Sequence, residues 1–472
     1  MLPNTIQGGM GVGVSSFRLA RAVSVQGALG VYSGVAADVL LARTLQDGDP
    51  GDVIRDVLSD FPDQGMVRKI FQEYFVPGGA DRKKPYKRVT AMTLTPSPLS
   101  FGLLVCATYA GVRLAKCGHS NPVGINILTK MEMHVLGSLA GAMLAGVGAV
   151  VMGAGIPREV PKVIDAFACG LPAEFQVAVT GTGSGFEIMR FDPRQVFGSK
   201  WPATLHRPLF LPIVSSALLA KLMVRKVAGV DGYVFEHHSA GGHNAPPLEN
   251  RGRDEAGEPI YGERDEPDFE ALNGLETRDG RKLPYWMAGG YGSPVKLREA
   301  LRNGASGVQV GTLFAYCDES GLDPDFRRSA IGQALRGELR VKQDPDASPT
   351  GYPFQVVQRP GSLSEQEVFD QWYRDCSVQG LHKAHRMLSG QLEYRCPAGP
   401  IQAYLRKEGR IEDTKHSRCL CRGLLRAIGR GDPGDAPIFT LGRDSSSLKH
   451  LAFPPDYSYT AAQVIKYLQG AA

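Results

Sequence analysis

The chain has 472 residues, of which 43% are hydrophobic and 21% are charged. These values are typical of globular proteins and exclude a chain that is disordered throughout. The net charge of +5 is too small to indicate a nucleic-acid partner. Eight cysteines are too few for a disulfide scaffold, so we expect reduced thiols and a cytoplasmic protein. The 57 glycines favour a fold with many tight turns.

The first residues carry no basic cluster followed by an apolar run, so no secretory signal is predicted. Short apolar segments then alternate with helical segments. At three places a glycine ends a helical segment, and the strand that follows is apolar on both faces. These glycines are Gly146, Gly229 and Gly304. Further strands are predicted just before Gln7 and at 29–33, 89–94, 123–128, 175–179, 209–214 and 285–287. A count near eight predicts an α/β fold, a (β/α)8 TIM barrel, with its active site in the loops after the strands.

Three segments depart from this alternation. An amphipathic, charged insertion occupies 40–88, and an acidic insertion at 246–284 is typical of an exposed loop or lid. We therefore expect a barrel domain at 1–343 and a helical, basic C-terminal extension at 344–472. The uncharged stretch 135–156 is rich in glycine and meets charges directly afterwards, which favours a buried helix and strand over a membrane span.

Several strands end in residues suited to ligand binding. The glycine-rich loop 7–13 could lie against a planar or anionic ligand, or could be only a tight barrel turn; it lacks the dinucleotide fingerprint. The Asn126 amide could bind the edge of a heterocycle or bond to a neighbouring strand. Two later loops fit a phosphate site, because barrels commonly hold phosphate after the last two strands. Their residues are Gly289, Gly290, Gly311 and Thr312.

A histidine-rich motif, 236–246, follows the strand that ends at Phe235. His243 could act as a base near neutral pH, aimed inward by Gly241 and Gly242. A metal site built from the three histidines and a purely structural His243 are the alternatives. We expect consecutive His237 and His238 to diverge and to make a poor chelate. The spacing of His416, Cys419 and Cys421 is not that of a standard zinc site, so no metal is predicted.

Together these motifs resemble the nitronate monooxygenase family, formerly called 2-nitropropane dioxygenases. The resemblance spans most of residues 1–320, and the tail phrases 348–354 and 418–421 are similar to long members of the group. Flavin-dependent enoyl-acyl carrier protein reductases, and trans-acting enoyl reductases of polyunsaturated fatty acid synthases, are similar at the same positions. The segments that carry the resemblance to the nitronate monooxygenases are Gln7-Gly8-Gly9-Met10, Gly124-Ile125-Asn126, Ala240-Gly241-Gly242-His243, Ala288-Gly289-Gly290 and 304–312.

The resemblance implies an FMN-dependent barrel, with the flavin supplying the redox chemistry. The residues that it implies for the FMN phosphate are Gly289, Gly290, Gly311 and Thr312. Those that it implies for the isoalloxazine ring are Gly9, Met10 and Asn126. His243 would face the flavin as the catalytic base, or as a cation that holds an anionic substrate.

The resemblance implies an FMN-dependent oxidoreductase that oxidises alkyl nitronates with oxygen. The alternative is an enoyl-thioester reductase of a fatty-acid or polyketide pathway, with NAD(P)H as donor and an acyl carrier protein as partner. The basic face of 401–430, with Arg406, Lys407 and Arg410, could meet such a carrier, and the extension could mediate a homodimer. A third hypothesis is a barrel that binds a phosphorylated ligand without redox work.

The motif also departs from the family. Residues 236–239 stand where the family usually has Gln followed by small residues, and 244–246 replace the usual short polar turn. Glu236 near the pyrimidine edge of the flavin would change its electronics, and bulky histidines would narrow the pocket. These differences concern the substrate more than the fold.

Overall fold

The computed structural model describes residues 2–470. Fourteen strands lie in this part of the chain. In chain order they are β1 (Thr5–Gln7), β2 (Gly30–Ser33), β3 (Val123–Leu128), β4 (Ala149–Gly153), β5 (Ala173–Gly181), β6 (Gly185–Phe191), β7 (Leu209–Val214), β8 (Tyr233–Glu236), β9 (Tyr285–Ala288), β10 (Gly307–Val310), β11 (Val341–Asp344), β12 (Phe354–Val357), β13 (Lys383–Arg386) and β14 (Leu392–Arg395).

Eight of these strands form one parallel barrel, as predicted. Their spatial order is β1-β10-β9-β8-β7-β4-β3-β2. Next to β2, Leu29 closes the ring on β1, since its N–H donates to Thr5 O at 3.0 Å and its carbonyl accepts from Gln7 N at 2.9 Å. Closure leaves no free sheet edge, and parallel strands place all their carboxyl ends on one rim. The (β/α)8 TIM barrel is confirmed.

Helices connect the barrel strands and form its outer layer. Several begin at a serine cap, because the hydroxyl accepts an N–H of the first turn; Ser16, Ser216 and Ser293 do so. The helices up to β10 are α1 (Phe17–Val25), α2 (Ala37–Gln46), α3 (Val53–Ser59), α4 (Gln64–Tyr74), α5 (Pro98–Ala115), α6 (Val135–Leu144), α7 (Val160–Ala168), α8 (Pro193–Phe197), α9 (Ala217–Lys226), α10 (Phe269–Asn273) and α11 (Pro294–Arg302). Those after β10 are α12 (Thr312–Tyr316), α13 (Pro324–Leu335), α14 (Gln366–Gln371), α15 (Ile401–Arg406), α16 (Ile411–Thr414), α17 (Leu420–Ala427) and α18 (Ala461–Leu468).

The barrel interior is a packed core. Side chains from β1, β2, β4, β7, β8 and β9 form one buried apolar cluster inside the ring, which includes Ile6, Val151, Leu211 and Trp286. This packing explains why the barrel strands are apolar on both faces, one toward the interior and one toward the helices. The barrel therefore has no central pore, and ligands are expected at its rim.

Two of the predicted strands have a different role. The segment 89–94 is not a strand but an irregular connection before α5. The segment 175–179 is extended within β5, but β5 pairs with β6 outside the barrel. Apolar periodicity does not say which sheet a strand joins, which explains the different place of β5, and a short apolar run such as 89–94 need not form a strand at all.

The expected helical extension contains strands as well as helices. β11 and β12 form an antiparallel hairpin, and β13 and β14 form a second one. β13 also pairs in parallel with β5, so a four-stranded sheet joins the extension to the β5–β6 hairpin. The tail is thus mixed rather than helical throughout. The boundary at 343/344 remains a prediction, and it falls inside β11.

One helix, α5, is long and apolar enough to cross a membrane by length and composition. In the structure, 78% of its apolar window is buried, and it packs against α2 and α6. It is therefore a core helix of this fold. The uncharged stretch 135–156 forms α6 and β4, as predicted, and both are buried.

Candidate functional site

The carboxyl ends of the barrel strands surround one large cavity. All ten residues expected from the sequence line it, although they come from five separate segments of the chain. They are Gly9, Met10, Asn126, Gly241, Gly242, His243, Gly289, Gly290, Gly311 and Thr312. Residues of the extension, among them Leu381, Leu424 and Thr440, complete the wall.

The loop after β1 passes directly beside Asn126. A Cβ on Gly9 would lie 2.1 Å from Asn126 Cβ, so only glycine permits this approach. Asn126 Nδ2 donates to the carbonyl of Val151 on β4 at 3.3 Å. The amide therefore bonds to the neighbouring strand and also lines the cavity, and its contact with a heterocycle stays a prediction.

The loop after β9 is shaped by two glycines with left-handed backbones. Gly289 and Gly290 have φ values of 82° and 79°. A Cβ on Gly289 would also lie 2.7 Å from the carbonyl oxygen of His237, whereas the space beside Gly290 is more open. Across the rim, Gly311 directly follows β10 and Thr312 begins α12. The two loops thus face the same cavity with little side-chain bulk.

His243 is held by the extension. Its Nε2 lies 2.7 Å from Ser348 Oγ, and Ser348 Oγ lies 2.8 Å from Thr350 Oγ1. The backbone beside it pairs with β12, because Gln355 N donates to Gly242 O at 2.9 Å. The imidazole also meets the edge of Phe354, with 4.8 Å between ring centroids. These contacts fix the ring and leave Nδ1 for a proton or a ligand.

The surroundings of His243 keep its imidazole neutral. Burial and, to a smaller extent, the nearby ammonium of Lys130 lower the pKa of His243 to about 4. Lys130 itself lies over the Tyr352 ring at 4.1 Å. Near neutral pH, His243 is therefore deprotonated and does not act as a cation.

Glu236, the last residue of β8, also lines the cavity. Burial raises the pKa of its carboxyl to about 8, and no charge or hydrogen bond within residues 2–470 offsets this effect. Near pH 7 the carboxyl is mostly protonated and can donate a hydrogen bond toward a ligand.

His237 and His238 do not diverge as expected. Their rings lie 4.0 Å apart, and their Nε2 atoms lie 3.2 and 3.7 Å from Glu266 Oε1. The chain turns directly after β8, so the alternation of a strand no longer applies to them. His238 also stacks on Tyr261 at 3.8 Å. His243 takes no part in this group, so the three histidines do not form one metal site.

The extension also covers the cavity from the side of β10. Gly242 N donates to Thr440 Oγ1 at 2.7 Å, and Gly442 N donates to Thr312 Oγ1 at 3.1 Å. The segment 440–442 therefore joins the His243 loop to the Gly311 loop. It restricts access to the cavity from solvent.

Sequence reasoning missed four residues of this site: Gln309, Lys130, Thr440 and Ser348 in its contact with His243. Gln309 Oε1 is buried without a hydrogen-bond partner in residues 2–470, and its side chain lines the cavity. Gln309 lies on the buried strand that follows Gly304. A polar residue on a buried strand is a signal from which its role at the site could have been predicted. The other three reach the site through tertiary contacts that no local pattern reveals.

Sequence comparison finds one curated relative, the nitronate monooxygenase of Paraburkholderia phytofirmans. It is 31% identical over 124 residues, which cover 26% of this chain and 31% of the relative. The resemblance to the nitronate monooxygenases is confirmed over this segment. The match thus spans about a third of the length of the relative. No family model matches the chain.

Solved structures with a similar arrangement include FabK from Thermotoga maritima, with a TM-score of 0.49 and 16% identity over 100% of this chain and 93% of that one. The nitroalkane oxidase of Streptomyces ansochromogenes gives a TM-score of 0.44 and 16% identity, over 99% and 95% of the two chains. The enoyl reductase domain of MlnA from Bacillus amyloliquefaciens gives 0.41 and 13%, over 79% and 68%. The fold assignment itself follows from the strand order and the closure of the barrel.

Proposed function

We propose that the protein is an FMN-dependent oxidoreductase of the nitronate monooxygenase type, which oxidises alkyl nitronates with oxygen. One observation carries the proposal. The two glycine loops, Asn126 and a neutral His243 all face the same cavity at the carboxyl ends of the barrel strands. The sequence match to a nitronate monooxygenase supports the same conclusion.

The residues present fit FMN. The loops at Gly289–Gly290 and Gly311 present backbone in place of side chains, which suits a phosphate group. Gly9 and Asn126 lie in close contact and both line the cavity near the first strand, which suits the planar ring. Gln309 Oε1 lacks a protein partner and could accept a hydrogen bond from a ligand N–H. Bound there, FMN would accept the electrons that leave the substrate.

The chain itself would orient the substrate and move its proton. With a neutral nitroalkane, His243 Nδ1 would accept the proton from the carbon next to the nitro group and so form the nitronate that is oxidised, while Ser348 holds Nε2. Since His243 is neutral, Lys130 is the cation whose field reaches this position and would favour an anionic substrate. The extension residues over the cavity would limit the entry of water.

The test is an anaerobic visible spectrum of the full-length protein, recorded alone, with NADPH and with an alkyl nitronate. We expect a bound flavin whose band is unchanged by NADPH and bleaches on addition of the nitronate. A band that bleaches promptly with NADPH would instead support the enoyl reductase. A protein without extractable flavin would contradict both and would support the barrel without redox chemistry.

The carrier-protein surface that accompanies the reductase alternative is largely neutralised. Lys407 pairs with Glu393 at 3.0 Å, and Arg410 pairs with Asp413 at 2.8 Å. Within the same segment, Arg418 and Arg422 are buried. Charge reversal of Arg406, Lys407 and Arg410 should therefore leave turnover unchanged. A selective loss of turnover with a carrier-bound substrate would restore this alternative.

A further inference from the structure

Four of the eight cysteines surround one small cavity in the extension. They come from three separate segments, and none forms a disulfide. They are Cys376, Cys396, Cys419 and Cys421. The remaining four cysteines lie before residue 318, away from this cavity. His416, which the sequence places near Cys419, is exposed and does not line it.

Backbone N–H groups act on each of the four cysteines and favour the thiolate form. A thiolate accepts hydrogen bonds more strongly than a neutral thiol, so such N–H donors suit sulfurs that bind a metal. Backbone N–H groups of this kind accompany metal-bound thiolates and tune their charge. The donors are Gln379 to Cys376, Ala398 to Cys396, Arg422 to Cys419, and Gly380 and Leu381 to Cys421.

The cavity does not stabilise free thiolates by itself. Burial raises the pKa of all four thiols, and repulsion from neighbouring cysteines further raises that of Cys396, Cys419 and Cys421. The positive charges of Lys383 and Arg422 lower the pKa of nearby cysteines. The pKa of these thiols nevertheless remains raised. A multivalent cation in the centre would remove the repulsion and use all four sulfurs as ligands.

The distances between the four sulfurs indicate which kind of metal centre they could bind. Thiolates around a single zinc, at about 2.3 Å from the metal, would lie within about 4 Å of one another. Within residues 2–470, three ligand atoms lie within 4.8 Å of one another at His237, His238 and Glu266, and not among the cysteines. Iron–sulfur clusters spread four thiolates over two or more irons and so need wider spacing.

We propose that Cys376, Cys396, Cys419 and Cys421 bind an iron–sulfur cluster. The site lies directly beside the candidate flavin cavity, since Cys421 lines both cavities. Leu381 and Leu420 also contribute to both walls. Cluster binding itself does not depend on the proposed function, because its ligands are separate from the glycine loops and His243.

The test begins with metal and acid-labile sulfide analysis of the full-length protein, purified anaerobically or reconstituted with ferrous iron and sulfide. We expect iron and sulfide in equal amounts, about two or about four of each per chain. Chemical reduction should then produce an electron paramagnetic resonance signal of the cluster. One zinc per chain with no sulfide, or four titratable thiols with no metal retained after reconstitution, would overturn the proposal.

Variants locate the cluster. Cys396→Ser should remove most of the iron and sulfide. Cys317→Ala, which alters a buried cysteine in another part of the chain, should retain both. Flavin content measured in the same samples separates this proposal from the proposed function. Iron without flavin would contradict only the proposed function. Flavin without iron would contradict only the proposed cluster. Iron retained in full by Cys396→Ser would contradict the ligand assignment.

Discussion

The neutral state of His243 determines what this residue can do. With a neutral nitroalkane as substrate, we expect His243→Asn to lower kcat by about two to four orders of magnitude, the usual contribution of a general base. Bound flavin should remain, because His243 is separate from the two glycine loops. Steady-state kinetics and flavin absorbance of the same preparation measure both effects. Unchanged turnover would remove His243 from the mechanism.

The pH profile offers a second test of His243. Since burial lowers the pKa of His243 to about 4, the base is already deprotonated at pH 5 and above. The ratio kcat/KM should therefore fall only as the pH drops toward 4, where the ring gains a proton. Ser348→Ala removes the hydrogen bond to Nε2 and should lower kcat less than His243→Asn does. A fall in kcat/KM centred near pH 6.5 would show that burial does not lower the pKa of His243.

Glu236 makes the stability of the fold depend on pH. Its pKa is raised to about 8, above an ordinary value of 4.5. As the pH rises from 4.5 to 8, the unfolded chain loses this proton and the folded protein keeps it, so the free energy of unfolding falls. Glu236→Gln should remove this loss and be more stable than the wild type at pH 8, but not at pH 4. Urea denaturation at both pH values measures this, and an equal effect at both would contradict it.

At the scale of elements, the loop after β10 provides the sharpest test of the cofactor site. Gly311 has an ordinary backbone, and a Cβ there would meet only Met10 Sδ at 3.7 Å and Met10 Cγ at 4.0 Å. Gly311→Val should therefore fold, fill part of the cavity and lose FMN. Gly274→Val is the control, because Gly274 ends α10 away from the cavity. Flavin retained in the wild-type amount by Gly311→Val would contradict the assignment.

The barrel strands could be predicted because each carries a strong local signal. β3, β7 and β9 lie within a residue of the segments inferred from apolar runs. The extension was harder to predict, since β13 pairs with β5 about 200 residues earlier. Such pairing depends on contacts between distant segments, and its short polar strands have no clear periodicity.

The candidate site shows the same limit. The strand-end glycines could be predicted because a close backbone approach requires glycine. His243 could be predicted because it follows a predicted strand and so lies at the rim of the barrel. Lys130 and Thr440 could not, since their roles arise only when segments that are distant in the chain come together. The cysteine group is similar: Cys419 and Cys421 are visible as a pair, but folding brings Cys376 and Cys396 to them.

At the scale of the whole molecule, a buried ion pair joins the barrel to the extension. Arg43 on α2 contacts Asp432 at 3.0 Å, and both side chains are less than 8% exposed. Asp432 also accepts from Tyr86 N at 3.0 Å and from Ser377 Oγ at 3.3 Å. Removal of one partner would leave the other charge buried without compensation. The insertion 40–88 and the tail should therefore unfold together.

We expect Asp432→Ala to lower the free energy of unfolding by about 3–5 kcal/mol, in one cooperative transition. The double variant Arg43→Met, Asp432→Leu should recover most of this loss, because neither member of the pair is then left as an unpaired buried charge. Asp325→Ala is the surface control, since its pair with Arg328 is exposed and should contribute little. Urea denaturation followed by circular dichroism measures all three. Two separate transitions in the wild type, or a double variant no more stable than Asp432→Ala, would show that the pair does not couple the barrel to the extension.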